Sequence, residues 1–198
     1  EYDPQVQTLT IEGNTRQSIK TVCATLGITE NIFIQTVWCI LLSKYNNTND
    51  VVFGSVVSGR PAEIEGIEEM IGLFINTIPV RIQLPVQQTL AEILKQVQQQ
   101  SAESTKYHYT QLADIQSENA LGRNLFDHIM VFENYPVQEM VAQSMNHKEN
   151  TELSILSADV FEQTDYNITL TVHPDEKNIF IRFSYNGNLY EHKQMQAV

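Results

Sequence analysis

Apolar residues along this chain follow two periods, one of about two residues and one of about 3.6. Runs that alternate apolar and polar residues, or that are continuously apolar and β-branched, predict strands. These runs cover residues 6–11, 51–57, 73–84, 126–132, 153–161, 166–172 and 179–185. The last two are separated by the turn-forming residues 173–178 and therefore predict a β-hairpin.

A helix is predicted directly after the first strand, because its apolar residues recur at intervals of three and four. Asn14 or Thr15 can cap its start, and Gly27 can end it in the left-handed conformation that favours glycine. Its predicted buried face consists of Ile19, Val22, Cys23 and Leu26.

Two more helices follow with their own start signals. Thr29 can cap the second helix, which residues 46–50 interrupt, and Thr89 with Glu92 forms a capping box for the third. The second has a broad apolar stripe of Ile34, Val37, Trp38, Leu41, Leu42 and Tyr45, with Trp38 predicted in the core. The third has a face of Leu90, Ile93, Leu94 and Val97. A terminal helix is expected from about Tyr190.

The order of these elements predicts an α/β fold, a two-layer sandwich in which helices pack on a mixed sheet. Residues 58–71 are expected to form a loop or short helix, and the polar residues 137–152 a mobile loop. The 198 residues fit one domain, with no internal repeat and no linker that would divide them.

Composition narrows the function classes. A hydrophobic fraction of 42% indicates a globular chain, and a net charge of −12 argues against nucleic acid and anionic membranes as partners. We expect no membrane span and no secretion signal at the acidic N-terminus. Cys23 and Cys39 lack metal spacing, so we expect buried, reduced thiols in a cytoplasmic protein.

The sequence carries no recognisable catalytic set. Its five histidines are never adjacent, and no His, Cys or Asp cluster has the spacing of a metal site or a nucleophilic triad. Gly54 and Gly59 do not form a phosphate-cradling pattern. The chain is therefore not expected to bind a metal, a nucleotide or a cofactor of its own.

Two neighbouring segments carry the most information. Residues 71–81 read IGLFINTIPVR, in which the polar pair Asn76 and Thr77 interrupts an apolar run, and residues 56–60 read VVSGR. A polar pair between apolar residues suits a buried strand that offers two hydrogen-bonding side chains to a cavity. Together, the two segments closely resemble the condensation domains of nonribosomal peptide synthetases, in which they lie near the substrate tunnel.

Further segments resemble the same family, in the family's order. They are YHYTQLADI at 107–115, GRNLFD at 122–127, FENYP at 132–136 and FEQTDYNITL at 161–170. The family's chemistry is associated with a His-His-x-x-x-Asp-Gly motif that this chain lacks. The resemblance therefore implies that residues 1–198 are the C-terminal lobe of a condensation domain, with a chloramphenicol-acetyltransferase-like fold, and that the lobe alone is inactive.

The resemblance also implies an activity and partners. Condensation domains join aminoacyl or peptidyl thioesters by an amide bond, and phosphopantetheine arms of peptidyl carrier proteins deliver both substrates to a tunnel between two lobes. The expected partners are thus the N-terminal lobe, carrier proteins and an adjacent adenylation domain. The segment from Phe161 to Tyr166 is expected to cross towards the other lobe.

The resemblance assigns residues to roles. Asn76, Thr77 and Ser58 are predicted to line the tunnel, although hydrogen bonds to neighbouring strands would equally explain Asn76 and Thr77. Structural roles are predicted for Gly72, Arg60, Arg81, His108 and Arg123. Arg60 would hold its loop by an ion pair, and the guanidinium of Arg123 would pin a helix end or loop.

Three alternatives remain open from the sequence. An epimerization domain would move a Cα proton, but it tends to carry a different pattern where this chain has NTIPVR at 76–81. A heterocyclization domain differs in a motif outside this chain. A non-catalytic lobe that only docks carrier proteins is the third alternative.

Overall fold

A computed structural model describes residues 2–60, 64–133 and 164–197. The strands are β1 (Pro4–Ile11), β2 (Asp50–Val57), β3 (Asn76–Gln83), β4 (His128–Phe132), β5 (Ile168–Pro174) and β6 (Ile179–Asn186). The helices are α1 (Gly13–Leu26), α2 (Glu30–Asn46), α3 (Leu90–Ser104), α4 (Leu112–Ser117) and α5 (His192–Met195). Short 3₁₀ turns occupy Ile67–Glu69, Thr105–Tyr107 and Gly122–Leu125.

The six strands form one mixed sheet in the order β1-β6-β5-β4-β2-β3. β4 pairs in parallel with β2 on one side and with β5 on the other, and the remaining pairs are antiparallel. The predicted β5–β6 hairpin is confirmed. At its turn, the Asp175 carboxylate accepts the backbone N–H groups of Lys177 and Asn178 at 2.6 and 2.5 Å.

The core lies between the sheet and the three long helices, so the predicted two-layer sandwich is confirmed. Because strand side chains alternate between faces, every second strand residue enters this core. We call this side of the sheet the covered face and the opposite side the open face. Core residues are Ile19 and Cys23 of α1, Ile32, Trp38 and Cys39 of α2, Leu94 and Val97 of α3, and Phe53, Met130, Val172 and Tyr185 of the sheet.

Helix α1 differs from its prediction in cap and face. Glu12 occupies the N-cap position without a side-chain cap, so neither Asn14 nor Thr15 caps the helix, and Val22 is exposed. Arg16 takes a buried position instead. Its guanidinium donates to Glu30 Oε1 at 2.7 Å and to the Asp175 carbonyl at 2.8 Å, which compensates the burial of its charge. Gly27 ends the helix as predicted.

Helix α2 begins at Thr29 as predicted, and Trp38 is buried, but Val37 and Tyr45 are exposed. Polar residues occupy the buried face in their place, which an apolar pattern cannot reveal. Each of these side chains donates a hydrogen bond within the fold. Gln35 donates to Ser55 Oγ, Thr36 to the Ile32 carbonyl, and Ser43 to the Ile40 carbonyl. Buried polar groups are tolerated when they are paired in this way.

Two strands are shorter than predicted. β3 begins at Asn76 rather than at residue 73, because β2 ends at Val57 and leaves the residues before Asn76 without a partner strand. β4 begins at His128, two residues later than expected. The predicted strand 153–161 and loop 137–152 lie outside the described residues.

Helix α3 has the predicted capping box between Thr89 and Glu92, although Leu90 at its start is exposed. Both cysteines are free and buried, and burial raises the pKa of the Cys39 thiol to about 12. Among the described residues, no single helix is long and apolar enough to cross a membrane. Helices α1 and α2 would reach that length only together, and they meet at 107°.

Candidate functional site

The three residues predicted to line a tunnel meet at one end of the β2–β3 pair. Val57 of β2 is opposite Asn76 of β3, so Ser58 leaves β2 where Asn76 and Thr77 enter β3. Ser58 is exposed, and the other two are half-buried. The antiparallel register thus brings together side chains that are 18 positions apart in the sequence.

The Asn76 side chain is fully engaged in hydrogen bonds. Its amide nitrogen donates to the carbonyls of His108 at 2.8 Å and Thr110 at 2.7 Å, and its Oδ1 accepts the Thr77 N–H at 2.9 Å. An amide group has two N–H donors, and both are used here. Asn76 therefore fastens the loop that follows α3 to the start of β3.

His108 is held on that loop next to α3. Ser104 Oγ donates to the Ser101 carbonyl at 2.8 Å, and the same oxygen lies 3.3 Å from His108 Nε2. Because a hydroxyl has one hydrogen, Nε2 must be the donor in the second contact. Burial lowers the pKa of His108, so its Nδ1 lone pair stays free of a proton at neutral pH.

Thr77 differs from Asn76 in its surroundings. Successive strand residues point to opposite faces, so Thr77 faces the open side, next to Val56 of β2. The sequence suggested that the two side chains offer their hydrogen-bonding groups to one shared cavity. In the structure they point to opposite faces and do not. Within the described part of the chain, the Thr77 hydroxyl has no hydrogen-bond partner, which leaves it available to a ligand.

The connection between β2 and β3 is held by Arg60. Its guanidinium donates to the carbonyls of Ile67 and Met70, the latter at 3.0 Å, and lies 4.2 Å from the centre of the Phe74 ring. The structural role predicted for Arg60 thus takes the form of carbonyl and ring contacts, rather than an ion pair, within the described residues.

Gly59 is the glycine that this connection requires. Its φ is +62°, and a Cβ there would lie 1.8 Å from the Phe74 carbonyl oxygen. Gly72, which the sequence favoured, has no left-handed φ, and its Cβ would meet the Phe74 ring at 3.1 Å. The signal that could have identified Gly59 is its place immediately after a predicted strand.

A small cavity lies behind Asn76, between α2, α3 and the β2–β3 pair. Its volume is about 110 Å³, and Gln35, Ser55, Ser104 and His108 are among the residues that line it. Asn31 Oδ1, also at this cavity, is buried and has no hydrogen bond to the residues that the structure describes. The lining is mixed, because apolar side chains such as Ile78 and Val97 stand beside these polar groups, which could bind water.

An apolar segment is exposed just before β3. We call Met70, Ile71, Leu73 and Ile75 the apolar strip. Ile71 is fully exposed and Leu73 is 91% exposed, which is unusual for two large aliphatic side chains so close in sequence. Exposed apolar surface of this kind marks contact with another part of a protein or with a partner.

The two other arginines predicted to be structural differ. Arg81 forms a bidentate pair with Asp50, with Nε to Oδ1 at 2.8 Å and Nη2 to Oδ2 at 2.5 Å. The hydrogen bond from Arg81 lowers the pKa of Asp50. Arg123 is exposed beside a cleft, and its guanidinium has no hydrogen bond to the described residues, so the predicted pinning contact is not seen among them.

A buried histidine escaped the sequence analysis. Trp38 Nε1 donates to His128 Nε2 at 3.1 Å, and His128 Nδ1 lies 2.7 Å from Asp127 Oδ1. An indole is only a donor, so Nε2 must be the acceptor, and Nδ1 carries the hydrogen that Asp127 accepts. This bond lowers the pKa of Asp127. The pairing joins α2 to β4, and the local sequence around either residue does not predict it.

The described residues contain no group of three or more side chains that could hold a metal ion. His108 Nε2 lies next to Ser104 Oγ, whose hydrogen goes to the Ser101 carbonyl, and His128 Nε2 accepts the indole N–H of Trp38. Neither Nε2 atom therefore accepts a hydroxyl hydrogen in this arrangement. At its described end, the segment predicted to cross towards another lobe packs on this sheet, where Tyr166 stacks on Phe126 at 5.6 Å.

Comparison with known proteins places this surface in a family. Residues 1–198 match the Condensation domain family. Surfactin synthase subunit 2 of Bacillus subtilis (strain 168) is 47% identical over 162 residues, which is 81% of this chain and 4% of that protein. Tyrocidine synthase 2 of Brevibacillus parabrevis is 38% identical over 197 residues, 100% of this chain and 5% of that protein.

Solved structures agree on the fold. The first condensation domain of the CDA synthetase superposes with a TM-score of 0.72 at 13% identity, over 98% of this chain and 42% of that one. The chain thus spans about 5% of a curated relative and less than half of a solved condensation domain. The expected chloramphenicol-acetyltransferase-like fold is confirmed, and the chain belongs to the condensation-domain family of nonribosomal peptide synthetases.

Proposed function

We propose that this chain is the C-terminal lobe of a condensation domain and forms one wall of its substrate passage. In the complete enzyme, the amine of one carrier-bound aminoacyl group attacks the thioester carbonyl of the other. A C–N bond forms, the C–S bond breaks, and the carrier thiol leaves with a proton. The observation that carries this proposal is the family match over the whole chain, combined with the meeting of Ser58, Asn76 and Thr77 at one end of β2–β3.

Such a reaction depends mainly on positioning two arms and on stabilising the charge of the tetrahedral intermediate. The chain lacks the His-His-x-x-x-Asp-Gly motif, so we assign it no catalytic residue. We assign Thr77 and Ser58 to the wall of the passage, since both are near the surface and Thr77 has a free hydroxyl in the described part of the fold.

Asn76 has a different role in this proposal. Its two donors are occupied by the carbonyls of His108 and Thr110, so it is a positioning residue that fixes the 107–111 loop against β3. The sequence predicted that Asn76 lines the tunnel. We propose instead that Asn76 shapes the wall and does not bind the substrate.

The apolar strip fits the proposed partner, the N-terminal lobe. Its four aliphatic side chains lie on the segment that Arg60 and Asn76 hold at either end. Burial of a fully exposed aliphatic side chain contributes about 1.5–3 kcal/mol, so this strip would supply a substantial part of an interface between lobes. Carrier proteins with their phosphopantetheine arms and an adenylation domain complete the proposed set of partners, and we propose a cytoplasmic location.

The experiment compares this chain alone with a complete condensation domain that contains it, each mixed with two loaded carrier proteins. Mass spectrometry would detect dipeptidyl thioester, and chiral analysis would detect inversion of the carrier-bound residue. We expect dipeptide from the complete domain and none from the chain alone. Dipeptide from the chain alone, or inversion without condensation, would contradict the proposal, the latter in favour of an epimerization domain.

A further inference from the structure

The open face of the sheet carries an arginine without a partner in the described structure. Arg182 is at the middle of β6, where its Cα partners are Thr8 on β1 and Thr171 on β5. Its Nε is buried and has no hydrogen bond within residues 2–60, 64–133 and 164–197. A carboxylate directly opposite a cation on a neighbouring strand would stabilise the sheet, but here two threonines take those positions.

A pocket of about 620 Å³ surrounds Arg182. This is within the range of small-molecule sites. Glu133 is the carboxylate among the described lining residues, and its Oε2 lies 3.9 Å from His173 Nδ1. No ion pair or hydrogen bond joins this carboxylate to Arg182, so the Arg182 guanidinium has no direct anionic partner among the described residues.

Hydroxyl groups flank that charge on three strands. Thr8, Thr171 and Ser184 line the pocket, and their hydroxyls have no hydrogen bonds to the described residues. An arginine fork with several hydroxyl donors matches the oxygens of a phosphate or carboxylate group. Apolar lining from Leu9, Val131 and Phe180 continues beside it and suits a chain attached to that group.

We propose that this pocket binds an oxyanion carried on a short chain, with Arg182 as its anchor and Thr8 and Thr171 as hydroxyl donors. The net charge of −12 repels anions at long range, so binding here requires the local fork and its donors. This proposal does not depend on the proposed condensation role, because a variant can lose phosphate binding and keep peptide formation, or the reverse.

The test titrates the 198-residue chain with inorganic phosphate and with acetate, observed by ¹H–¹⁵N NMR of the backbone and of the Arg182 Nε–H. We expect millimolar affinity, with shifts at Thr8, Thr171 and Arg182. Arg182→Gln should weaken binding at least about tenfold, since charge-assisted bonds to the anion are lost. Arg123→Gln, another arginine without a described hydrogen bond, is the control and should bind as the parent does.

Two further measurements keep the result decisive. If Arg182→Gln fails to fold, the Thr8→Val and Thr171→Val double variant should still fold and bind phosphate more weakly. Titrations with 4′-phosphopantetheine and with pantetheine, which lacks the phosphate, would identify the source of the oxyanion. If 4′-phosphopantetheine binds more tightly than inorganic phosphate does, the pocket is assigned to the arm of a carrier protein. The absence of shifts with either anion, or unchanged affinity in Arg182→Gln, overturns the proposal.

Discussion

The two faces of the sheet differ in how their polar side chains are paired. On the covered face, Trp38 and His128 pair with each other, Gln35 pairs with Ser55, and the Asn76 amide is saturated. On the open face, Arg182 and Thr77 have no hydrogen bond to the described residues. The open face also has paired groups, such as Arg81 with Asp50. We therefore expect ligands or partners to act on the open face at Arg182 and Thr77 in particular.

The largest loss of stability should come from truncating a core side chain on the covered face. Met130, on the central strand β4, is fully buried. Met130→Ala should lower the free energy of unfolding by about 2–5 kcal/mol, because it leaves a cavity in a packed core. Urea unfolding followed by circular dichroism would measure it.

Thr171→Ser, on the open face of the neighbouring strand, is the matched control. It should change the free energy of unfolding by less than about 0.5 kcal/mol. Comparable losses in both variants would show that the two faces contribute equally to stability, and the comparison would fail.

The next largest effect on stability is expected at Asn76 and not at its neighbour Thr77. Asn76→Ala removes two hydrogen bonds to the 107–111 loop and should cost about 1–3 kcal/mol of stability. In a complete condensation domain it should also lower turnover, because the loop is no longer fixed. Thr77→Val should leave stability nearly unchanged and lower turnover alone. Unfolding curves and a dipeptide assay on the same samples would separate the two outcomes.

The predicted roles of both residues would be wrong in two cases. Full turnover in Asn76→Ala would remove this residue from the site, and full turnover in Thr77→Val would remove the hydroxyl from the wall of the passage.

A smaller effect is expected from Trp38→Phe. The ring retains most of the packing but loses the indole N–H, so His128 Nε2 loses its hydrogen-bond donor. We expect a loss of about 1–2 kcal/mol in the free energy of unfolding. Phe180→Leu on the partly exposed open face is the comparison, with an expected loss below about 1 kcal/mol. A Trp38→Phe variant as stable as the parent would mean that this hydrogen bond is dispensable.

The smallest effect concerns pH. The hydrogen bond from His128 lowers the pKa of Asp127 below the ordinary value of an aspartate. A carboxyl with a lowered folded pKa stabilises the fold above its unfolded pKa, and this contribution is lost as the pH falls through the folded value. The Asp127 side chain is largely exposed, so the effect is small.

Thermal unfolding of the parent and Asp127→Asn at several pH values would measure this contribution. The difference in midpoint should shrink between about pH 5 and pH 2. A difference that stays constant over this range would show that the carboxylate contributes nothing through this bond.

Much of the fold was predictable from local signals. The capping box at Thr89 and Glu92, the stop at Gly27 and the β5–β6 hairpin were all confirmed, because each depends on residues within a few positions of one another. The wrong predictions, Val22 and Val37 among them, arose where a paired polar side chain replaced an apolar one in the core. Such pairing depends on distant residues, which a periodic pattern does not contain.

The site was predictable only as a location. The order of family-like segments identified residues 58, 76 and 77, and the β2–β3 register brought them together. Their roles could not be read from the sequence, since Asn76 bonds to carbonyls more than 30 positions away. Gly59, His128 and Arg182 escaped notice for the same reason, because their importance depends on Phe74, Trp38 and the strands on either side of β6.

By itself, the sequence determined the positions of most helices and strands, the family of the chain and the absence of the family's histidine motif. These properties depend on local order and composition. Tertiary structure alone decided which polar groups are consumed by the fold and which remain open, because a hydrogen bond between distant residues exists only after the chain has folded. That distinction separates Asn76, whose amide bonds to two carbonyls, from Thr77 and Arg182, which have no hydrogen bond to the described residues.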